Sequence, residues 1–156
     1  MKKFMNYELI EIYYKSTNKI KNEIVDLWVN NNALPTIEAL SRVNHVVCAI
    51  KHVPSDKIIG VSTAKINSLH NTNDLYYFYG MFVDKNHRGG VGSNWRVKTG
   101  IINKTFDILK NQNNMYVKGL AAILENQRVS NKFLQRYGFS SLNDDQLEYK
   151  ILIKNF

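Results

Sequence analysis

The sequence predicts an α/β fold built on one mixed sheet flanked by helices. Three observations carry that prediction. Short apolar runs with turn chemistry between them recur in the first half of the chain, as hairpin-linked strands do. An amphipathic stretch from about Asn94 to Lys110 then separates two further apolar runs, Leu75–Val83 and Met115–Leu124. Strands that need a helix to join them are parallel neighbours. Finally, 156 residues with 44% apolar and 12% aromatic content make one domain with a substantial core.

The elements follow in order. Tyr7 to Tyr14 alternates and is rich in aromatic and β-branched residues, as a strand is. Ile20, Ile24, Leu27 and Trp28 recur at helical spacing, and Asn30-Asn31-Asn32 with Pro35 ends that helix. Thr36 caps a second short helix with Ile37, Leu40 and Val43 inward. Val46–His52 and Ile58–Ile66 are strands around the turn Pro54-Ser55-Asp56-Lys57. Leu75–Val83 is nearly continuous apolar sequence, as a strand covered on both faces requires. The 94–110 helix buries Trp95, Ile102, Phe106 and Leu109, with Ile101 and Ile108 widening the face. After Met115–Leu124, Glu125-Asn126 opens a short helix carrying Val129, Phe133 and Tyr137. Gly138 ends it, with Phe139 as the apolar partner of a Schellman-type cap. A last strand spans Leu147–Ile153. The order is β-α-α-β-β-β-α-β-α-β-β, in a sheet splayed between Leu75–Val83 and Met115–Leu124.

One stretch carries chemistry. The strand ending at Val83 runs through Asp84-Lys85-Asn86-His87 into Arg88-Gly89-Gly90-Val91-Gly92-Ser93, and a helix follows at once. Glycines let consecutive amides approach an anion, and a helix N-terminus adds about half a positive charge there. The plain alternative is a connector. A Walker loop is excluded, since no Gly-Lys-Ser/Thr follows. A dinucleotide fingerprint is excluded too: the glycines stand at 89, 90 and 92, and Asp107 lies on the same helix rather than at a second strand end.

Composition bounds the rest. The net charge of +8 favours anionic partners, although a chain crowded with Asn, Lys, Ile and Tyr also fits AT-rich coding. Cys48 stands alone inside Val46–Ile50 and reads as a buried structural thiol, so disulfides and cysteine metal sites are not expected. The first residues lack the apolar segment of a signal peptide, and nothing is long enough to span a membrane. A cytoplasmic protein is the expectation.

Two motifs in this order resemble the GNAT superfamily of N-acetyltransferases. Val83 to Trp95 resembles its acyl-CoA pyrophosphate loop, Arg/Gln-x-x-Gly-x-Gly/Ala. Asn126 to Phe139 resembles its last helix, with Asn at the start and Gly-Phe at the end. The resemblance covers nearly the whole chain and implies acetyl transfer from acetyl-CoA to an amine. It places the diphosphate on the amides of Gly89, Gly90, Val91, Gly92 and Ser93, and the acyl arm on the Val83 amide. Asn126 and Asn131 then sit beside the pantetheine arm, unless they only cap and solvate a helix.

Gly90 and Gly92 take the two glycine places. Without a gap His87 takes the Arg/Gln place; with one residue deleted Arg88 does, and its permanent charge suits a diphosphate better. His87 otherwise reads as a solvated loop histidine. The family's tyrosine acid, four residues before the final glycine, is here Leu134. Its carboxylate base falls at Tyr76 or Tyr77. Glu125 is the nearest acid able to deprotonate an amine, if it is not simply a first-turn acid on a helix dipole. Tyr79 and Tyr137 are core positions that could also replace the missing tyrosine. Two other functions stay open: a relative that acts on or binds nucleic acid, and a non-catalytic CoA-binding interaction protein. A homodimer stays open as well. The acceptor is not legible, because its contacts come from variable segments near 15–45 and 140–147.

Overall fold

The structure is a computed structural model that describes residues 2–4, 6–69, 72–87, 94–124, 131–142 and 150–156. The strands are β1 (Lys2–Phe4), β2 (Tyr7–Glu11), β3 (Val46–His52), β4 (Lys57–Ser68), β5 (Leu75–Val83), β6 (Val117–Leu124), β7 (Ser140–Ser141) and β8 (Lys150–Asn155). The helices are α1 (Asn18–Asn30), α2 (Thr36–Arg42), α3 (Asn94–Lys110) and α4 (Asn131–Gln135), with a single 3-10 turn at Val43–His45. Among the described residues, eight strands form one sheet in the order β1-β2-β3-β4-β5-β6-β8-β7. β5 and β6 are parallel, and every other pair whose register is described is antiparallel. This is the mixed sheet that the hairpin-then-crossover order requires. The chain divides into two compact units, Met1–Thr63 with Met81–Ile108 and Ala64–Gly80 with Leu109–Phe156.

In the first unit α1 lies on the sheet. Its Ile24, Leu27 and Trp28 share a core with Ile12, Val46, Ala49, Ile58 and Val61. The Thr17 hydroxyl starts α1 by accepting from the Ile20 amide at 3.3 Å, and Asn31 Nδ2 closes it on the Leu27 carbonyl at 2.8 Å. In the second unit the core gathers Leu69, Tyr76, Ala121 and Ile151, with Phe78, Leu142 and Ile153 against it. β6 and β8 approach too closely there for any side chain at Gly119, whose Cβ would fall 2.1 Å from the Lys154 carbonyl oxygen.

Several expected boundaries move. β1 was not foreseen. β2 ends at Glu11 because the Ile12 and Tyr13 amides both turn onto the Val47 carbonyl, and Tyr14 then adopts a left-handed backbone with φ 58°. Thr36 is the first residue of α2 rather than its cap, and the preceding Pro35 has no side-chain cap to offer. Ala39 and Val43 are buried, whereas Ile37 and Leu40 are exposed. The small Ala39 occupies the inward face, and residues on the adjoining face turn outward. β6 starts at Val117 because loop chemistry runs on past Asn113, which has φ 53°, and Asn114 Oδ1 accepts from the Tyr116 amide. Met115 and Tyr116 are accordingly exposed. β8 begins at Lys150; its expected start at 147–149 lies outside the described residues.

Candidate functional site

α3 packs closely on β4. On the face of β4 that meets α3, Gly60 leaves room: a Cβ there would lie 2.9 Å from Ile50 and 3.1 Å from Ile101. α3 buries Val97, Ile101, Ile102, Thr105, Ile108 and Leu109. Thr105 is the polar member. Its hydroxyl donates to the Ile101 carbonyl at 2.6 Å and accepts from the Ser62 hydroxyl at 2.6 Å. A helix is thus pinned to a strand by a hydroxyl chain in an otherwise apolar layer. Phe106, expected inside, is only half-buried.

β5 leaves this layer at Val83, which is buried. The next amide, Asp84, donates to the Ile59 carbonyl at 2.7 Å. The Asp84 carboxylate then accepts from the Asn86 amide, and its carbonyl accepts from the His87 amide, both at 2.9 Å. Asp84 therefore folds the turn on itself, as an aspartate in such a position does. The His87 ring is half-buried and engaged with other side chains, where its reading was a solvated loop histidine. Its Nδ1 lies 2.9 Å from the Tyr7 hydroxyl. Its ring centroid lies 4.8 Å from that of His52, which is itself held by the Ser55 hydroxyl at 2.8 Å. Burial first, and the neighbouring His52 second, push the His87 imidazole below its ordinary range, with Asp84 opposing. Burial likewise raises the Tyr7 phenol.

The β5–β6 register runs Leu75↔Val117, Tyr77↔Leu120 and Phe78↔Ala121. Both strands continue past the last pair, β5 to Val83 and β6 to Leu124. Main-chain groups of β5 after Phe78 thus lie outside the described ladder with β6. Tyr79 is the first of these residues, and its hydroxyl oxygen is shielded from solvent.

Of the residues singled out in sequence, Arg88, Gly89, Gly90, Val91, Gly92, Ser93, Glu125 and Asn126 lie outside the described residues. Asn131 is the first residue of α4. Tyr137 is half-buried in the turn after α4, its ring edge-on to Phe133 at 5.2 Å. Gly138 has φ +89°, its amide donates to the Gln135 carbonyl and the Phe139 amide to the Leu134 carbonyl. That pair of bonds is the expected Schellman cap. Leu134 and Phe139 are both buried, so the position of the family's tyrosine acid is here a core position. Tyr76 and Tyr77 are buried as well, and the Tyr76 hydroxyl donates to Asn155 Oδ1 at 2.9 Å. Cys48 is fully buried, which pushes its thiol up to about 12.

Sequence reasoning missed Tyr7 and His52. They face each other across the β2–β3 register, and nothing local in the sequence marks that pairing. It also missed a cavity of about 500 Å³ beside α1, whose lining residues include Glu23, Asp26, Asp56, Lys57 and Asp84.

Comparison with solved structures agrees with this architecture along nearly the whole chain. The ribosomal-protein-S5-alanine acetyltransferase of Vibrio fischeri superposes with a TM-score of 0.61 at 18% identity, covering 98% of this chain and 94% of that one. This chain has the GNAT fold. A GNAT-family acetyltransferase of Staphylococcus aureus matches with a TM-score of 0.59 at 17% identity, covering 96% and 98%. One from Listeria monocytogenes matches with a TM-score of 0.61 at 12% identity, covering 96% and 95%. Neither a family model nor a curated protein matches the sequence. Among the described residues, no helix of this GNAT-like chain is long and apolar enough to cross a membrane.

Proposed function

We propose that this chain transfers an acetyl group from acetyl-CoA to an amine. The observation that carries the reading is the β5–α3 junction on a GNAT fold. A strand whose described register with its parallel neighbour reaches Phe78 leads, through a turn rooted on β4, toward the glycine-rich sequence that precedes α3. Main-chain groups of β5 beyond Phe78 fit the acyl arm of the coenzyme, with Val83 the last of them. The amides of Gly89 to Ser93 hold its diphosphate, helped by the α3 N-terminus. Arg88 is the cation of the site, because the His87 ring is engaged with Tyr7 and His52. Asn126 and Asn131 flank the pantetheine arm.

The bound coenzyme supplies a thioester already activated toward amines. The chain's own work is then modest: hold the two reactants together, polarise the carbonyl and take up one proton. Glu125, directly after β6, is the proton acceptor in this reading. Leu134 offers no proton, so Tyr137 is the candidate donor to the departing thiolate, and Tyr79 the second candidate. The acceptor belongs to the amines, and its identity is open. A thiol-release assay with acetyl-CoA and a panel of polyamines, amino acids, peptides and nucleic acids tests the proposal. Acceptor-dependent release supports it. Absence of release with every acceptor, despite demonstrated CoA binding, favours a non-catalytic interaction protein.

A further inference from the structure

His87 is anchored twice. Its amide closes the Asp84 turn, and that turn is rooted on β4 through the Asp84 amide and the Ile59 carbonyl. Its ring is held from the opposite side of the chain's sequence. The Tyr7 hydroxyl meets Nδ1 at 2.9 Å, and the Tyr7 ring stands edge-on to it at 5.8 Å. The His52 ring closes the seat, 5.5 Å from Tyr7 and 4.8 Å from His87. Tyr7 and His52 are register partners on β2 and β3, so two strands build the seat and the turn supplies its occupant. A single side chain held by main chain below and by a hydroxyl above has little freedom left.

We propose that Tyr7 is a positioning residue for the coenzyme site: with His52 it seats His87, and so fixes the point from which the chain enters its anion-binding segment. The proposal rests on the coenzyme reading above and adds a residue and a regulation to it. In this role Tyr7 acts through His87.

The seat responds to protons. Among the described residues, the titratable groups facing His87 are Tyr7 from β2, His52 from β3 and Asp84 from its own turn. Burial foremost, then His52, disfavour the charged His87, and Asp84 only partly offsets them. The seated histidine therefore holds its proton less tightly than a free one. Seating is complete above the free value of about 6.5 and weakens as pH falls through the lower seated value. A histidine that merely lent charge to the diphosphate would do the reverse, and affinity would rise on acidification. The two roles predict opposite slopes.

Calorimetric binding of 3′-dephospho-CoA, from about pH 5.5 to 8, reads the slope, because this probe lacks the phosphomonoester that would titrate in the same range. Wild-type affinity should fall on acidification. Tyr7→Phe should bind about three- to tenfold more weakly at neutral pH, the size of one lost hydrogen bond, and its pH dependence should flatten. The loss should appear in the coenzyme KM more than in kcat. His87→Phe, which keeps a ring and removes the nitrogen, should give the same result. Wild-type affinity in both variants, or a wild-type affinity that rises on acidification, overturns the proposal. If the wild type binds no coenzyme at any pH, the coenzyme reading itself has failed, and the seat is judged by hydrogen exchange of the free protein. Exchange of the His87 amide should then be several-fold faster in Tyr7→Phe, and an unchanged rate overturns the seat.

Discussion

The Ser62 hydroxyl donates to Thr105 Oγ1 at 2.6 Å in a fully buried layer between β4 and α3. The direction is fixed by Thr105, which must give its own proton to the Ile101 carbonyl. The two hydroxyls are therefore not equivalent. Thr105→Val strands the Ser62 hydroxyl without its acceptor and should cost about 1–3 kcal/mol. Ser62→Ala leaves Thr105 bonded to Ile101 and should cost about 0.5–1.5 kcal/mol. The double variant should cost less than the sum of the two, which urea denaturation of all four proteins will measure.

Two glycines fail for different reasons. Alanine at Gly119 would place its Cβ 2.1 Å from the Lys154 carbonyl oxygen and 2.7 Å from the Asn155 Cα. Backbone cannot yield as a side chain does, so β6 and β8 must separate, and a loss of about 3 kcal/mol or more is expected. Alanine at Gly138 would meet only the flexible Lys154 side chain, at 3.3 Å, and its penalty is the left-handed backbone with φ +89°. About 1–2 kcal/mol is expected there. Thermal melts should rank Gly119→Ala well below Gly138→Ala; the opposite order would mean that the two strands are not so closely apposed.

Leu134→Tyr tests whether a missing acid can be restored. The side chain is buried, so a larger residue with a hydroxyl overpacks the core and should destabilise by about 1–3 kcal/mol. Restoration of the family's residue type should thus not raise acetyl transfer. A stable Leu134→Tyr variant with faster thiol release would show that this position opens onto the reacting groups.

Cys48 should resist modification. Burial pushes its thiol up to about 12, so the thiolate is scarce at pH 8, and the sulfur is shielded as well. Labelling by a thiol-reactive dye should be slow in the native protein and fast in denaturant. Rapid native labelling would contradict its place in the core.

Much of the fold was legible because it follows from local pattern. Strand alternation, the helical spacing of Ile24, Leu27 and Trp28, and the Gly138 cap all act within a few residues; the helix face and the cap stand where the sequence puts them, while strand ends moved. The crossover from β5 to β6 followed from connection length alone. What escaped depended on register or on competition between faces. Ala39 took the inward face of α2 from Ile37 and Leu40, which hydrophobicity ranks higher. His87 looked solvated because its partners, Tyr7 and His52, are distant in sequence and meet only through β2–β3 pairing. The glycine-rich segment from Arg88 to Ser93 lies outside the described residues, so its reading as an anion site rests on the sequence pattern.

The central claim is that this segment holds the diphosphate of acetyl-CoA, and calorimetry of CoA binding to wild type and Gly92→Val tests it most directly. A valine there would block the approach of consecutive amides. The account predicts measurable binding to the wild type and at least about a tenfold loss, roughly 1.4 kcal/mol, in a folded Gly92→Val variant. Equal affinity in the two proteins, or no binding to the wild type, would contradict it.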